Sequence, residues 1–93
     1  MFVYIMSNKR RGVMYTGVTS DIVLRVYQHK NHITGGFTAR YGLDRLVWFD
    51  STDDELAAIA HENRLKRWHK EWKFALIEER NPDWIDLYPT LLG

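Results

Sequence analysis

The sequence predicts an α+β fold, a small β-β-α-β-α domain with a three-stranded central sheet flanked by helices. Three observations carry that prediction. Two short runs of β-branched and aromatic residues, Phe2-Val3-Tyr4-Ile5-Met6 and Val13-Met14-Tyr15-Thr16-Gly17, are separated by turn-forming residues. A third apolar run, Leu46-Val47-Trp48-Phe49, lies in mid-chain. Between and after these runs, apolar residues recur at helical spacing.

The first two runs form a hairpin. With the loop at Asn8 to Arg11, Ser7 faces Gly12 and Tyr4 falls opposite Tyr15, so both phenols point to one side. A helix follows over about Ser20 to Lys30, with Ile22 and Val26 as its core positions. Asn31 to Tyr41 contains Gly35-Gly36 and mostly polar residues without a clear period, and is expected to be a loop. Leu43 to Asp50 is the third strand, and its unbroken apolar run suggests a strand covered on both faces and therefore central. Thr52-Asp53-Asp54-Glu55 fits a capping box, with Thr52 as N-cap. The helix after it runs to about Arg80 with a break near His69-Lys70, and Asn81-Pro82 stops it. The tail, Asp83 to Tyr88, is apolar enough to pack back on the domain. This leaves a third helix as an option.

The 93 residues are read as one domain, 1–93, without repeats or linkers. Apolar residues make up 45% of the chain and four are tryptophans, which excludes a disordered protein. With no cysteine, a disulfide framework, thiolate zinc sites and thiol catalysis are excluded. Met1 to Met6 is too short for a leader h-region, and Lys9-Arg10-Arg11 follows it, so a secretory leader is not expected. No apolar run reaches membrane-spanning length, and the expectation is a soluble cytoplasmic protein. Net charge is only +1, but bases gather at residues 9–11 and along Arg64, Lys66, Arg67, Lys70 and Lys73. Acids gather at Asp50 to Glu55 and from Glu78 to Asp86. A basic binding surface with an acidic back and the plain solvated faces of amphipathic helices both fit that pattern.

Asp21, Arg25 and His29 recur every fourth residue along the first helix, behind the two phenols. A fold has little use for that alignment, whereas an anionic substrate does. On the long helix, Ala58, Leu65, Trp68 and Trp72 follow a buried stripe, and Glu62 falls inside it. An inward carboxylate is paired, protonated or metal-bound, and a salt bridge with an arginine and a metal site both remain open. Glu55, Glu71, Glu78 and Glu79 read as surface acids. His61-Glu62 opens like a zinc-protease helix, but Leu65 stands where the second histidine belongs, so that reading fails. His61 and His69 lie two turns apart on one helix, which is weak evidence for a metal, and His32 reads as a polar loop residue.

Taken in order, Tyr4, Tyr15-Thr16-Gly17, Arg25, His29 and Glu62 form a pattern that resembles the GIY-YIG nuclease superfamily. The first motif keeps only its tyrosine (Phe2-Val3-Tyr4), and the second keeps Tyr15 and Gly17. Arg25 stands ten residues after the second tyrosine, as the family arginine does, and His29 matches a histidine that many members add one turn later. Glu62 matches the metal-binding glutamate on the helix after the third strand. Leu65-Lys66-Arg67-Trp68, Lys73, Leu76-Ile77 and Asn81 to Leu87 look like the ending of the small free-standing bacterial branch. Val18 stands where some members carry a lysine, so a mechanism through that lysine does not apply.

The resemblance implies a metal-dependent endonuclease acting on DNA, with RNA an alternative partner. Glu62 would hold one hard cation, Mg²⁺ or Mn²⁺. Arg25 would grip the phosphate, with Gly17, Lys66 and Lys70 beside it in the substrate-binding set. Tyr4 is the expected base and Tyr15 a phosphate or water ligand, with Arg25, the metal or His29 relieving the high pKa of a phenol. Asn81 is either a polar contact or a helix cap. Larger relatives carry an appended reader; without one, weak or structure-selective binding or a protein partner is expected. Repair, recombination and turnover of foreign DNA all remain open. Two other readings compete: a nucleic-acid-binding module on the same fold, and a protein-interaction domain that would expose Trp72 or Trp84.

Overall fold

The computed structural model describes residues 1–33 and 35–93; Thr34, part of the segment expected to be a loop, lies outside the described residues. In chain order the elements are β1 (Phe2–Ser7), β2 (Met14–Thr19), α1 (Ile22–Lys30), α2 (Gly36–Tyr41), β3 (Arg45–Ser51), α3 (Glu55–Arg67), α4 (Lys70–Arg80) and α5 (Tyr88–Leu91). The three strands form one antiparallel sheet in the order β2-β1-β3. The expected α+β architecture is present. Side chains alternate across β1 and feed two cores. Val3 and Ile5 pack with Ala58, Leu65, Ile77 and Trp84, while Tyr4 and Met6 pack with Ile22, Val26, Leu43 and Leu46.

The hairpin register differs from the expected one. Ser7 pairs with Met14 and Tyr4 pairs with Gly17, so the connection takes six residues, Asn8 to Val13. The longer turn is closed from within: Val13 N donates to Asn8 Oδ1 (3.0 Å) and Gly12 N to Lys9 O (3.0 Å). A Cβ on Gly12 would lie 2.1 Å from Asn8 Oδ1, so a larger residue there would displace the side chain that closes the turn. The slip is two residues, an even number, so Tyr4 and Tyr15 still share a face.

β3 is an edge strand and β1 is central, the reverse of the expected placement. The apolar run in β3 has another cause. Ile5 pairs with Trp48 and Met6 with Leu46, leaving Val47 as the extra residue of a bulge. The bulge turns Val47 and Trp48 to the α3/α4 side and leaves Leu46 and Phe49 on the other. The open edge of β3 is covered by the chain's own C-terminal part. Asn81 Nδ2 donates to Val47 O (3.1 Å), Arg80 Nη1 to Phe49 O (3.0 Å) and Leu87 N to Leu46 O (2.7 Å).

Three further expectations change. Gly36–Tyr41 is a short helix, stopped by Gly42 at φ 64°, where a loop was expected. Six residues are too few to show a helical period in sequence. The N-cap of α3 is Asp54, whose Oδ1 accepts from Ala57 N at 2.7 Å, so Glu55 opens the helix and Thr52 does not cap it. Trp72 is 58% exposed and leaves the apolar stripe, because the chain is extended at Trp68 and His69 before α4 restarts with a new phase. The break itself falls where the sequence put it, and it places His69 outside α3, so His61 and His69 do not share a helix.

The tail packs back as expected: Trp84 is fully buried and Nε1 donates to Glu78 Oε2 at 2.7 Å. Glu78 also accepts from Arg11 (2.8 and 2.9 Å), so it is a structural anchor and not a plain surface acid. Asn81 is buried and accepts from Ile85 N (3.1 Å) while donating to Ile85 O (2.9 Å) and Val47 O. Deleting these bonds orphans buried backbone groups. Asn81→Ala is therefore expected to cost about 2–3 kcal/mol, a fall in melting temperature of roughly 10–20 °C by calorimetry. A fall of only a degree or two would remove Asn81 from the tail's anchor.

Candidate active site

The site is built where β1, β2, α1 and α2 meet. Asp21 caps α1, its Oδ1 accepting from Leu24 N at 3.1 Å, so its carboxylate is committed to the helix end and does not join the seam. The cap sets the phase that turns Ile22, Val26 and His29 inward, with Arg25 beside them at the rim. Tyr4 OH lies 2.8 Å from His29 Nε2 and accepts from Arg25 Nε at 3.3 Å. His29 Nδ1 lies 3.0 Å from Thr38 Oγ1, and Arg25 Nη1 donates to Gln28 Oε1 at 3.3 Å. The rings of Tyr4 and Tyr15 lie 6.3 Å apart, and Tyr15 is 5.5 Å from His29.

Gly17 makes the arrangement possible. Directly opposite Tyr4 in the sheet, it leaves the surface of β2 bare so that the Tyr4 ring lies across it. A Cβ there would stand 2.6 Å from Tyr4 OH and 2.9 Å from Tyr15 Cε2.

Burial sets the protonation states. Tyr4 is fully buried, and that pushes its pKa up to about 12 against the opposing pull of the Arg25 hydrogen bond and charge; the charge of Glu62 is a smaller upward influence. The phenol is protonated at neutral pH. Arg25 is held charged: burial works against it, but the hydrogen bond to the Tyr4 oxygen and the nearby phenol of Tyr15 outweigh that and raise its pKa. Burial, then the Arg25 charge, lowers His29 to about 4, so it is a neutral imidazole at pH 7. Since Arg25 donates to the Tyr4 oxygen, the consistent assignment has Tyr4 donating to His29 Nε2 and His29 Nδ1–H donating to Thr38.

The His29 shift has a measurable consequence. Its unfolded pKa is near 6.5 and its folded pKa about 4, so between these values the unfolded chain binds the extra proton. Stability is complete above about pH 6.5 and falls as pH drops towards 4. At about 1.4 kcal/mol per unit, the loss is about 3 kcal/mol. Thermal melts from pH 7 to 4 should show this slope, and His29→Gln should flatten it. A flat profile in the parent chain would mean that His29 takes up its proton as readily in the fold as in the unfolded chain. Below that window Glu78, held down to about 2 by its hydrogen bonds from Arg11 and then Trp84, adds a second loss as pH falls from 4.5.

A cavity of about 200 Å³ opens beside this network, lined by Tyr15, Arg25, His29, Gly36, Phe37 and Thr38 among others. Tyr15, not Tyr4, faces it. Glu62 lies on α3, outside the residues that line the cavity, with its side chain 17% exposed and an ion pair to Lys66 Nζ at 3.3 Å; its charge bears on Tyr4 only as a minor influence. The partner is a lysine one turn on, where an arginine was anticipated. Among the described residues, no group of three or more histidines and acids gathers to hold a metal ion. Lys70 is exposed at the start of α4. His61 packs edge-on to Trp48 with ring centroids 5.8 Å apart, and its Nδ1 is buried without a hydrogen-bond partner among the described residues. Sequence reasoning missed Thr38 and Phe37. Their only advance signal was a threonine and an aromatic directly after the glycine pair.

The model of the GIY-YIG catalytic domain matches residues 1–75. The chain belongs to the GIY-YIG family. Tyr4, Tyr15, Gly17, Arg25, His29 and Glu62 all lie inside the matched GIY-YIG region, and the family is one of nucleases. The chain is 31% identical over 83 residues to a UPF0213 protein of Aeromonas salmonicida, covering 87% of this chain but only 61% of that relative. It is 32% identical over 78 residues to a UPF0213 protein of Haloquadratum walsbyi (84% and 86% covered) and 28% identical over 80 residues to one of Clostridium perfringens (86% and 85%). No solved structure gives a significant match. No helix among the described residues of this GIY-YIG chain is long and apolar enough to cross a membrane.

Proposed function

We propose that this chain is a divalent-metal-dependent endonuclease that hydrolyses phosphodiester bonds in DNA, with structure-selective or weak sequence specificity. The observation that carries this is the convergence of Arg25, Tyr15 and His29 on one open cavity, with the Arg25 guanidinium held charged at its rim. A planar cation with several N–H donors suits a phosphate diester.

The roles follow from exposure. Tyr15 faces the cavity and is the phenol placed to touch an attacking water or a phosphoryl oxygen. Tyr4 is buried behind it and acts as a positioning residue, fixing Arg25 and His29 through its single oxygen. Tyr15 keeps the role suggested by resemblance, whereas Tyr4 loses its role as base, because a buried phenol near pKa 12 is a poor base. His29, neutral, accepts the Tyr4 proton in a hydrogen bond and so keeps that oxygen's lone pairs turned towards Arg25.

Glu62 supplies the single acidic ligand. Among the described residues its carboxylate pairs with Lys66, whose own side chain is half exposed and free to swing away. One carboxylate fits Mg²⁺ or Mn²⁺, which keep most of their waters and take phosphate oxygens. When bound there, the ion would neutralise charge on the phosphate and lower the pKa of a coordinated water.

The test is cleavage of branched, duplex and single-stranded DNA, and of RNA, with Mg²⁺, Mn²⁺ or EDTA, comparing Tyr15→Phe with Tyr4→Phe. Metal-dependent cutting is expected. Tyr15→Phe should lose it with little change in melting temperature, whereas Tyr4→Phe should also cost about 1–3 kcal/mol of stability by leaving His29 Nε2 unpaired. Salt-sensitive binding without cutting under any metal would replace the enzyme by a nucleic-acid-binding module.

A further inference from the structure

The short helix α2 carries more than the His29 anchor. Thr38 points inward and is buried, which sends Phe37 and Tyr41, four residues apart, to the outer face. They are 46% and 44% exposed. Their rings lie 4.8 Å apart at 48°, and Phe37 lies 6.4 Å from Tyr15 at 33°. Tyr15, Phe37 and Tyr41 thus make a ladder of three rings that starts in the cavity and ends in solvent. Single exposed aromatics are ordinary, but a contiguous series leading out of a charged cavity is not. The surroundings favour an anion: residues 31–42 contain no acid, and the Arg40 guanidinium sits 5.6 Å from the Tyr41 ring centre.

The cavity volume, about 200 Å³, lies below the ~300 Å³ at which pockets begin to enclose a whole small molecule. A phosphodiester can enter it; the attached base must stay at the rim, where Phe37 stands. A base inside a duplex has both faces covered by its neighbours, so only an unpaired base can lay a face on an aromatic ring.

We propose that Phe37 and Tyr41 form a stacking platform for an unpaired nucleobase, so that this site takes single-stranded or flayed nucleic acid with the adjoining phosphate at Arg25. The proposal rests on the cavity's being a phosphodiester site and adds the substrate class. Phosphate contact at Arg25 supplies affinity for any strand, and the platform supplies preference for unpaired ones. Arg40 adds a cation beside the backbone of the stacked nucleotide.

The test measures binding in EDTA, where hydrolysis does not interfere, of a single-stranded oligonucleotide carrying a fluorescent purine analogue and of the same sequence as a duplex. Phe37→Ala and Tyr41→Ala are each expected to weaken single-strand binding by about 5- to 100-fold, the range measured for loss of one base–aromatic stack. Duplex binding should change little. Phe37→Leu, which keeps apolar packing on Tyr15 but has no ring, should lose binding equally, and Phe37→Trp should restore it and quench the purine. Unchanged single-strand binding in the alanine variants, or equal losses on single strand and duplex, would overturn the platform. A parallel cleavage assay with Mn²⁺ separates this from the nuclease reading. Cutting that is indifferent to residues 37 and 41 sinks the platform alone. Stacking without any cutting sinks hydrolysis alone and leaves the platform standing. Absence of binding to every strand overturns both.

Discussion

Glu62→Gln is expected to lower cleavage by about 10³-fold or more while leaving the fold intact. Glutamine keeps the size and the half-buried position of the side chain but loses the charge that a hard cation requires. Losing a metal's stabilisation of phosphoryl charge costs several kcal/mol in the barrier, and each 1.4 kcal/mol or so is tenfold in rate. The structural cost is small by comparison. The pair with Lys66 is an i,i+4 contact with a half-exposed lysine, worth about 0.3–0.5 kcal/mol and therefore roughly 2–4 °C in melting temperature. Activity and melting should be measured together. A variant that cuts at the parent rate would remove Glu62 from the chemistry, and one that melts far lower would make it a structural acid.

Gly17→Ala is expected to cost both stability and activity through Tyr4. The new methyl would meet Tyr4 OH at 2.6 Å and Cζ at 2.7 Å. Tyr4 cannot step aside cheaply, because it is buried and its oxygen is shared by His29 and Arg25. Forcing such a contact costs about 1–3 kcal/mol. A displacement near 1 Å at Tyr4 carries Arg25 and His29 with it, and misplacement on that scale lowers rates by about 10²-fold. Thermal melting and cleavage kinetics report the two effects separately. If the alanine variant melts and cuts like the parent, the bare surface of β2 is not what positions the site.

Much of the molecule is legible in the residues alone. Period-two and helical spacing identify β1, β2, β3 and α1, and the break before α4 lies where His69-Lys70 suggested it. The shared face of Tyr4 and Tyr15 survived a wrong register because the slip was even. The alignment of Arg25 with His29 needed only the helix period, and the order of motifs placed the chain among the GIY-YIG proteins. Short elements were less readable: α2 has fewer than two turns, and Gly35-Gly36 at its start reads as a loop.

What the sequence determined by itself is therefore local: which segments are strands or helices, which side chains share a face, and which family the order of motifs matches. What the tertiary structure alone decided is relational. The six-residue turn set the register that lays Tyr4 over Gly17, and the bulge at Val47 split an apolar run between two cores at a sheet edge. Packing of α1 on the sheet buried one phenol, and α2 beside His29 left the other facing the cavity. Each of these depends on contacts between segments far apart in the chain, and hydrophobic periodicity within a segment is the same whichever neighbour it meets.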